Sequence, residues 1–448
     1  MNAMVVIDLF SGAGGLTEGF FKEGYEVIAH VEKEKWACET LKTRIFYYYL
    51  KDKNDLDLYR QYLECSNDYK KLDEARRIVY NKYPELEEKI NLEVLNKTFG
   101  NPASEAGTTS TADIIKLIKK SMRYNKKNKV DIIIGGPPCQ AYSVIGRARM
   151  GDNVNKDKRN FLFYYYRELV DCFRPKAFVF ENVPGILTAK SGQIFPIIQK
   201  EFDKIGYTLL SGPDPNHKMN ILDAKDFGVY QSRKRMILFG FKKRLKFHYP
   251  DFMANVNRLD ENQTLHNALA DLPELHVGEG QDLGLTRYSI QDAENLSKYQ
   301  MLMRDNSFGV LNHRARMHRD MDLEIYRKAI EATQINKKLK YFELPKYLKT
   351  HHNEKDFQDR FKVHGWEDVP HTIVAHIAKD GHYNIHPDIN QCRSLTVREA
   401  ARIQSFPDNY KFEGPRTWQY VQVGNAVPPI MAQVIAKSVR GVLEEEVR

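Results

Sequence analysis

Short, mostly apolar runs recur along this chain, and all but the first are bounded by glycine or a charged residue. They are four to seven residues long, which is typical of buried strands, and lie at 4–10, 25–31, 130–134, 177–180 and 236–241. Stretches with apolar residues at helical spacing fall between them, for example at 16–21 and 161–173. Strands that alternate with helices predict an α/β fold on a mostly parallel, doubly wound sheet.

Residues 44–128 do not follow this alternation. Charged, amphipathic sequence there predicts two or three helices, then a polar loop at 101–111 and a further helix or turn at 112–121. Because connections between strands and helices are usually far shorter, we predict that 44–128 is a helical insertion into the sheet. Its tyrosines at 47–49 could stack on nucleic-acid bases, but packing between helices is the favoured role.

The second half of the chain is less regular. Residues 243–392 are rich in histidine, basic and aromatic side chains, and they predict a second, irregular domain. The last part, 393–448, has a clear helix start at Thr396, where Glu399 completes a capping box. Pro429 suits the first turn of a final helix. We expect 1–242 to form the first domain, completed by 393–448.

Composition narrows the class of protein. No apolar stretch among the 448 residues approaches the length of about 18 that a membrane span needs, and the start lacks a basic leader. Five scattered cysteines argue against a disulfide framework and favour the reducing cytoplasm. The histidines at 243–392 come without a Cys-x-x-Cys pair, so no metal site is expected. A net charge of +9 suits a polyanionic partner.

Residues that could bind a ligand or take part in catalysis follow several of the predicted strands. A glycine turn follows the first strand, Glu32 ends the second, Cys139 comes after Gly-Gly-Pro-Pro at the third, and Glu181 ends the fourth. Carboxyl ends of parallel strands share one edge of a sheet, which is where such folds bind ligands. A lone cysteine is more often a small buried residue, but the stiff turn before Cys139 favours a nucleophile.

A cysteine and a carboxyl group without a histidine suit a pyrimidine substrate. A thiolate that adds to carbon 6 of cytosine turns the ring into an enamine, whose carbon 5 attacks an electrophilic methyl group. Neighbouring cationic groups would lower the pKa of the Cys139 thiol, and a carboxyl group at the nitrogen edge of the ring would stabilise the developing charge. Arg233 and Arg235 could face an anionic or carbonyl-bearing substrate, although plain surface charge is the simpler interpretation.

Taken together and in order, the motifs resemble those of the cytosine-5 DNA methyltransferases of bacterial restriction–modification systems, along nearly the whole chain. They are Asp8-Leu9-Phe10-Ser11-Gly12-Ala13-Gly14-Gly15, Gly136-Pro137-Pro138-Cys139-Gln140, Glu181-Asn182-Val183, Gln231-Ser232-Arg233-Lys234-Arg235, Arg398-Glu399-Ala400-Ala401-Arg402 and Gly424-Asn425-Ala426-Val427.

The resemblance implies a Rossmann-like domain that uses S-adenosylmethionine, with a smaller target recognition domain at 243–392 that binds double-stranded DNA. It implies that Cys139 is the nucleophile, that Glu181 binds the cytosine, and that Arg235, with Arg233, orients the base. The family's cofactor positions fall on Phe10, Gly12, Gly14, Gly15, Glu32, Asp113, Ile114, Pro138, Leu162, Asn425 and Ala426.

The sequence is less consistent with three other functions. A nucleobase deaminase needs zinc and a Pro-Cys-x-x-Cys pair, whereas here Tyr142 stands three residues after Cys139. Methylation of RNA would use the same chemistry, but the full-sized recognition segment favours DNA. A module that only bound DNA would not need Cys139 or Glu181. The resemblance further implies a cytoplasmic monomer and a possible cognate restriction endonuclease.

Overall fold

The computed structural model describes residues 3–65, 68–137, 162–187, 192–213, 221–290, 292–349 and 358–445. Pro138 and Cys139, two of the predicted site residues, lie outside these ranges.

In the described part of the chain, eight strands form the main sheet. They are β1 (Val5–Leu9), β2 (Glu26–Glu32), β3 (Val94–Asn96), β4 (Ile132–Gly135), β5 (Ala177–Asn182), β6 (Tyr207–Leu210), β7 (Ile221–Asp223) and β8 (Lys234–Lys242). Their order is β3-β2-β1-β4-β5-β8-β6, and β7 pairs with β8 outside this path. The pairs from β3 to β5 are parallel, whereas β8 runs antiparallel to β5, β6 and β7. The predicted α/β fold is therefore confirmed.

Helices cover both faces of the sheet, which explains why its strands are continuous apolar runs. Within β1, Val6 belongs to the core beneath one set of helices, and Ile7 and Leu9 to the core beneath the other. Within the described part of the first 242 residues, the α-helices are α1 (Gly15–Lys22), α2 (Lys35–Asp52), α3 (Leu56–Glu64), α4 (Tyr69–Lys82), α5 (Pro84–Glu93), α6 (Thr111–Tyr124), α7 (Leu162–Phe173) and α8 (Ile194–Lys204).

The range 44–128 is not a pure helical insertion. β3 lies within it and pairs with β2, so this part of the range belongs to the main sheet. α6 also belongs to the sheet, because Ile114 and Ile118 pack in the core under β1 and β2. The helices α2–α5 share a separate core in which Tyr47 is buried, as helix packing predicted.

The range 243–392 divides in two by packing. The α-helices and strands that the structure describes in this range are α9 (Leu265–Leu269), β9 (Gly280–Gln281), α10 (Lys298–Arg304), β10 (His313–Arg314) and α11 (Asp320–Gln334). α9 and α10 pack in the same core as α1, whereas α11 forms a small core of its own with residues 341–392. The proposed domain boundaries stay a prediction.

The chain ends in three helices that return to the sheet. They are α12 (Val397–Ile403), α13 (Arg416–Asn425) and α14 (Pro429–Glu445). Thr396 and Glu399 form the predicted capping box at the start of α12. α14 packs against α1, where Gly19 allows the backbone of Ala432 to approach closely. Across the ranges that the structure covers, no helix has the length and apolar character to cross a membrane.

Candidate active site

A cavity of about 1950 Å³ opens at the carboxyl ends of β1, β2, β4 and β5. This is the edge where the parallel strands were predicted to bring the special residues together. Ten of the fifteen predicted site residues line it: Phe10, Gly12, Gly15, Glu32, Leu162, Glu181, Arg233, Arg235, Asn425 and Ala426.

The glycines of the first turn have different roles. Gly12 has a φ of +54°, and a side chain there would find nothing within 4 Å, so its backbone is open towards a ligand. A Cβ on Gly14 would lie 2.9 Å from the hydroxyl of Tyr410, and one on Gly15 would lie 2.2 Å from the carbonyl oxygen of Val427. Gly14 does not line the cavity. Gly14 and Gly15 therefore permit close packing of the protein, whereas Gly12 leaves open space in the cavity beside its backbone.

Glu32 is fixed at the tip of β2. Its carboxylate accepts hydrogen bonds from the backbone amides of Gly12, at 2.9 Å, and of Lys33 and Glu34, both at 2.8 Å. Burial raises the pKa of this carboxyl group. A carboxylate has about four acceptor positions, so one is left for a hydroxyl group of a ligand.

An aromatic wall lies beside the glycine turn. Phe10 has a φ of +58°, an uncommon conformation for a residue with a side chain, and its ring centroid lies 5.2 Å from that of Phe99. Phe99 in turn stacks on Tyr165 at 5.5 Å with an interplanar angle of 18°. Such a wall suits a flat ring. Phe99 follows β3, a strand of three residues that is too short to show a pattern in the sequence.

Asp113 and Ile114 do not line this cavity. Asp113 lies in the first turn of α6, where its amide donates to the Oγ of Ser110 and its carboxylate pairs with Lys116 at 2.9 Å. Ile114 is fully buried beneath the sheet. The predicted adenine contact is thus a helix start, and the residues after β3 face the cavity in its place.

Glu181 lies beside the loop that leads to Cys139. A Cβ on Gly136 would be 2.6 Å from the Oε2 of Glu181, so the absence of a side chain lets the carboxylate approach this backbone. The side-chain Nδ2 of Asn182 donates to the carbonyl oxygen of Pro137 at 3.2 Å. The end of β4 is therefore held against the end of β5 up to two residues before Cys139.

Arg235 neutralises this carboxylate. Its Nε lies 2.7 Å from the Oε1 of Glu181, and the two side chains are 13% and 14% exposed. Burial lowers the pKa of the Arg235 guanidinium, while the charge of Glu181 opposes that shift. The pair faces the cavity, and the role in holding the cytosine that the resemblance implies for it stays a prediction.

Arg233 differs from Arg235. Its side chain is fully buried, with Nη1 donating to the carbonyl oxygen of Ile373 at 2.7 Å and Nη2 to that of Gly424 at 2.9 Å. Burial, followed by the charge of Arg235, holds its pKa well below the usual range. Surface charge is therefore the wrong interpretation for Arg233. Its hydrogen bonds join protein segments, so the role of orienting a base stays a prediction.

The sequence profile of the family described as C-5 cytosine-specific DNA methylase matches residues 4–69 and 93–441. The chain belongs to this family. The protein is thus a cytosine-5 DNA methylase, an enzyme that methylates carbon 5 of cytosine in DNA, and DNA is its substrate.

Curated relatives of this cytosine-5 DNA methylase span the same length. The Type II methyltransferase M.Bpa9945I of Bacillus paralicheniformis is 57% identical, covering 98% of this chain and 99% of its own. The Type II methyltransferase M.DdeI of Desulfomicrobium norvegicum is 30% identical, covering 97% of this chain and 88% of its own.

Solved structures agree with the methylase fold. One, named as a DNA modification methyltransferase encoded within a prophage (E. coli), has a TM-score of 0.60 at 22% identity and covers 99% of this chain and all of its own. The Entamoeba histolytica methyltransferase EhMeth has a TM-score of 0.51 at 15% identity, with full coverage of both chains.

The family profile also shows which residues of the range 44–128 lie outside the family match. It leaves out residues 70–92, which comprise nearly all of α4 and α5. Within residues 4–441, these two helices are the part of the methylase that the family profile does not match, whereas β3 and α6 fall inside the match.

One stretch that lines the cavity was not predicted for the site. Residues 374–379, at the end of the predicted recognition domain, contribute five side chains or backbones to the wall. The stretch includes a turn of 3₁₀ helix at Ala375–Ala378 that packs on α13. Its irregular sequence gives no periodic signal.

Proposed function

We propose that this DNA methylase takes its methyl group from S-adenosylmethionine and activates a flipped cytosine through a covalent bond to Cys139. The main support is the Glu181–Arg235 pair, which lies in one cavity with the open glycine turn and beside the strand end that leads to Cys139. A polar pair next to a ligand-sized, aromatic-walled space is the arrangement that this reaction requires.

The described residues fit the cofactor. Gly12 leaves room for a ligand at the end of β1, and Glu32 has an acceptor position free for a ribose hydroxyl. Phe10 and Phe99 offer faces for the adenine, and Asn425 lies at the same cavity. When bound, S-adenosylmethionine supplies a methyl group on a sulfonium. Leu162, Ala426 and Pro138 are kept as further proposed contacts.

The chemistry of the chain can be written in balanced steps. The Cys139 thiolate would form a bond to carbon 6, and the electron pair of the 5,6 double bond would move to carbon 5. Carbon 5 would then take the methyl group as the bond from the methyl carbon to the sulfonium sulfur breaks, and the electron pair of that bond would stay on the sulfur of a neutral thioether. The proton on carbon 5 then leaves to solvent, the bond from sulfur to carbon 6 breaks, and the thiolate returns. Glu181 holds the nitrogen edge of the ring and Arg235 its carbonyl oxygen, so that both stabilise the charge of the attacked ring.

Labelled methyl transfer tests the reaction. The protein is incubated with methyl-labelled S-adenosylmethionine and either duplex DNA or transfer RNA, and we expect label in the duplex alone. Label in the RNA with none in the duplex would support the RNA alternative and overturn the DNA assignment of the substrate.

Trapping tests the covalent step. With 5-fluorocytosine at the target position, fluorine cannot leave as the proton does, so a complex linked through Cys139 should survive denaturation. Cys139→Ser should form no such complex, although it should still bind S-adenosylhomocysteine. An active enzyme that yields no adduct would rule out attack at carbon 6.

We also propose that the enzyme is the modification partner of a restriction endonuclease and acts as a cytoplasmic monomer. The support for the first part is that the relatives above are named Type II methyltransferases. Bisulfite sequencing of DNA from a host that expresses the protein should show one short sequence methylated at nearly every occurrence. Methylation scattered without a common sequence would contradict this role.

A further inference from the structure

Residues 231–233 are hydrogen-bonded to the chain at 370–373. The backbone amide of Ser232 donates to the carbonyl oxygen of Pro370 at 2.9 Å, and the hydroxyl of Thr372 donates to the carbonyl oxygen of Ser232 at 2.7 Å. The amide of Ile373 donates to the Oε1 of Gln231 at 2.8 Å, and its carbonyl oxygen accepts from Arg233 at 2.7 Å. Both backbone polar groups of Ile373 are therefore bound by this one short segment.

Arg233 extends the contact to α13. Its second Nη group donates to the carbonyl oxygen of Gly424 at 2.9 Å. Gly424 itself lies against the backbone that follows residues 370–373. A Cβ on Gly424 would be only 2.3 Å from the amide nitrogen of Ala375. One guanidinium thus binds both sides of a tight backbone contact.

Each side of this contact continues into the cavity. After Ile373, residues 374–379 line the wall, and after Gly424 come Asn425 and Ala426, which line it as well. Arg233 is fully buried, whereas Arg235 beside it is partly exposed and occupied with Glu181. The planar, forked donor set of arginine can serve two carbonyl oxygens at once, which the single ammonium of lysine does less well.

We propose that Arg233 is a positioning residue that couples two sides of the cavity. One is the side assigned to the cofactor, and the other is the wall formed by 374–379, which we assign to the DNA. It holds the 370–379 stretch against the end of α13, so a ligand that orders one side favours the arrangement needed on the other. This proposal rests on the proposed function, since it assigns the two sides to S-adenosylmethionine and to the target duplex. Coupling of this kind is reciprocal between the two ligands.

The test measures the coupling directly. The affinity for S-adenosylhomocysteine is measured by calorimetry with and without a duplex that the wild-type enzyme methylates, and the ratio of the two is the coupling factor. For the wild type we expect a factor of about 5 or more, within the usual range for coupled sites. For Arg233→Lys the factor should fall towards 1, even where each ligand still binds.

Arg393→Lys is the matched control. Arg393 is as deeply buried, and it donates to the carbonyl oxygen of Leu275 and to Glu399, but it does not line the cavity. Its replacement should lower the melting temperature and leave the coupling factor of the folded protein unchanged. A general packing role for Arg233 would instead give the two variants the same behaviour.

Thr372→Val covers the case in which Arg233→Lys does not fold. It removes one hydrogen bond at the edge of the same contact and should reduce the coupling factor in part. A wild type without coupling, an Arg233→Lys protein with wild-type coupling, or unchanged coupling in Thr372→Val when Arg233→Lys fails to fold would each overturn the proposal. Labelled methyl transfer by the wild type would show in every case whether the proposed function itself stands.

Discussion

The Nε of Arg235 lies 2.7 Å from the Oε1 of Glu181, across the one boundary between β5 and β8 at which the described sheet path changes from parallel to antiparallel. Because β8 runs in the opposite direction, its first residues lie beside the last residues of β5. An arginine 54 residues further along the chain thereby reaches the edge where the parallel strands end. The change of strand direction supplies the acid with its partner.

This pair should act as a unit in catalysis. We expect Glu181→Gln and Arg235→Met each to lower kcat by about 10² to 10⁴-fold, the usual cost of losing a group that stabilises the reacting centre. The double variant should be little worse than either single one, because the interaction is already lost. Single-turnover methylation rates measure this, and losses that simply multiply would show that the two residues act independently.

Gly15 should tolerate no side chain. In Gly15→Ala the new methyl group would lie 2.2 Å from the carbonyl oxygen of Val427, so the start of α14 must move away from α1. We expect a lower melting temperature and weaker binding of S-adenosylhomocysteine. Gly441→Ala is the control, since a Cβ there meets nothing within 4 Å in the middle of a helix. It should raise stability by about 0.5–1 kcal/mol. Equal effects of the two changes would contradict this account.

Buried histidines should make the fold sensitive to acid. Burial lowers the pKa of His30 and His386 to about 3 and of His313 and His364 to about 4. In the unfolded chain these groups take up protons below about pH 6.5, whereas in the folded chain they stay neutral. Stability is therefore fully present above pH 6.5 and should fall as the pH drops towards 4, by up to about 1.4 kcal/mol per group and pH unit.

Asp8 works in the opposite direction. Burial raises its pKa to about 7, so its contribution is present at low pH and is lost as the pH rises from about 4 to 7. Four histidines outweigh this one acid between pH 4.5 and 6.5. Urea unfolding at a series of pH values should show the net loss. His364→Gln should make the dependence shallower, and His248→Gln should not, because His248 is 61% exposed. A flat profile would show that these histidines are protonated in the folded protein.

Binding to DNA should weaken steeply with salt. A net charge of +9 favours contacts with phosphates, and each neutralised phosphate releases a counterion. If about 6 to 10 phosphates are contacted, the affinity should fall by about 10³ to 10⁵ between 50 and 200 mM salt. Fluorescence anisotropy with a labelled duplex measures it, and binding of S-adenosylhomocysteine, which has no net charge, is the internal control. If the affinities for both ligands depended equally weakly on salt, the basic charge would not act by contacting phosphates.

The strand ends could be predicted from the sequence because each combined a buried run with a sharp stop. This placed Gly12, Glu32 and Glu181 at one edge, which the structure confirms. β3 gives no such signal, since it has only three residues, and the resemblance places a cofactor contact on Asp113, at the start of α6. Asp113 has the local role of a helix start, which resembles a binding motif when the strand before it is not recognised.

Long-range hydrogen bonds were beyond the reach of the sequence. Arg233 and Arg235 stand two residues apart with the same side chain, yet one is fully buried between backbone carbonyl groups and the other faces the cavity. What separates them is the position of Ile373 and Gly424, which lie 140 and 191 residues away. No local pattern records such a distance.

The helices α4 and α5, which the family profile does not match, support the buried residues that precede α13. Arg76 of α4 donates to the hydroxyl of Tyr62, which donates in turn to the carboxylate of Glu413, the buried partner of Lys411 close to α13. A shortened enzyme without α4 and α5 would expose this buried charge pair to water. These two helices therefore could not be removed without repacking the core against which they lie.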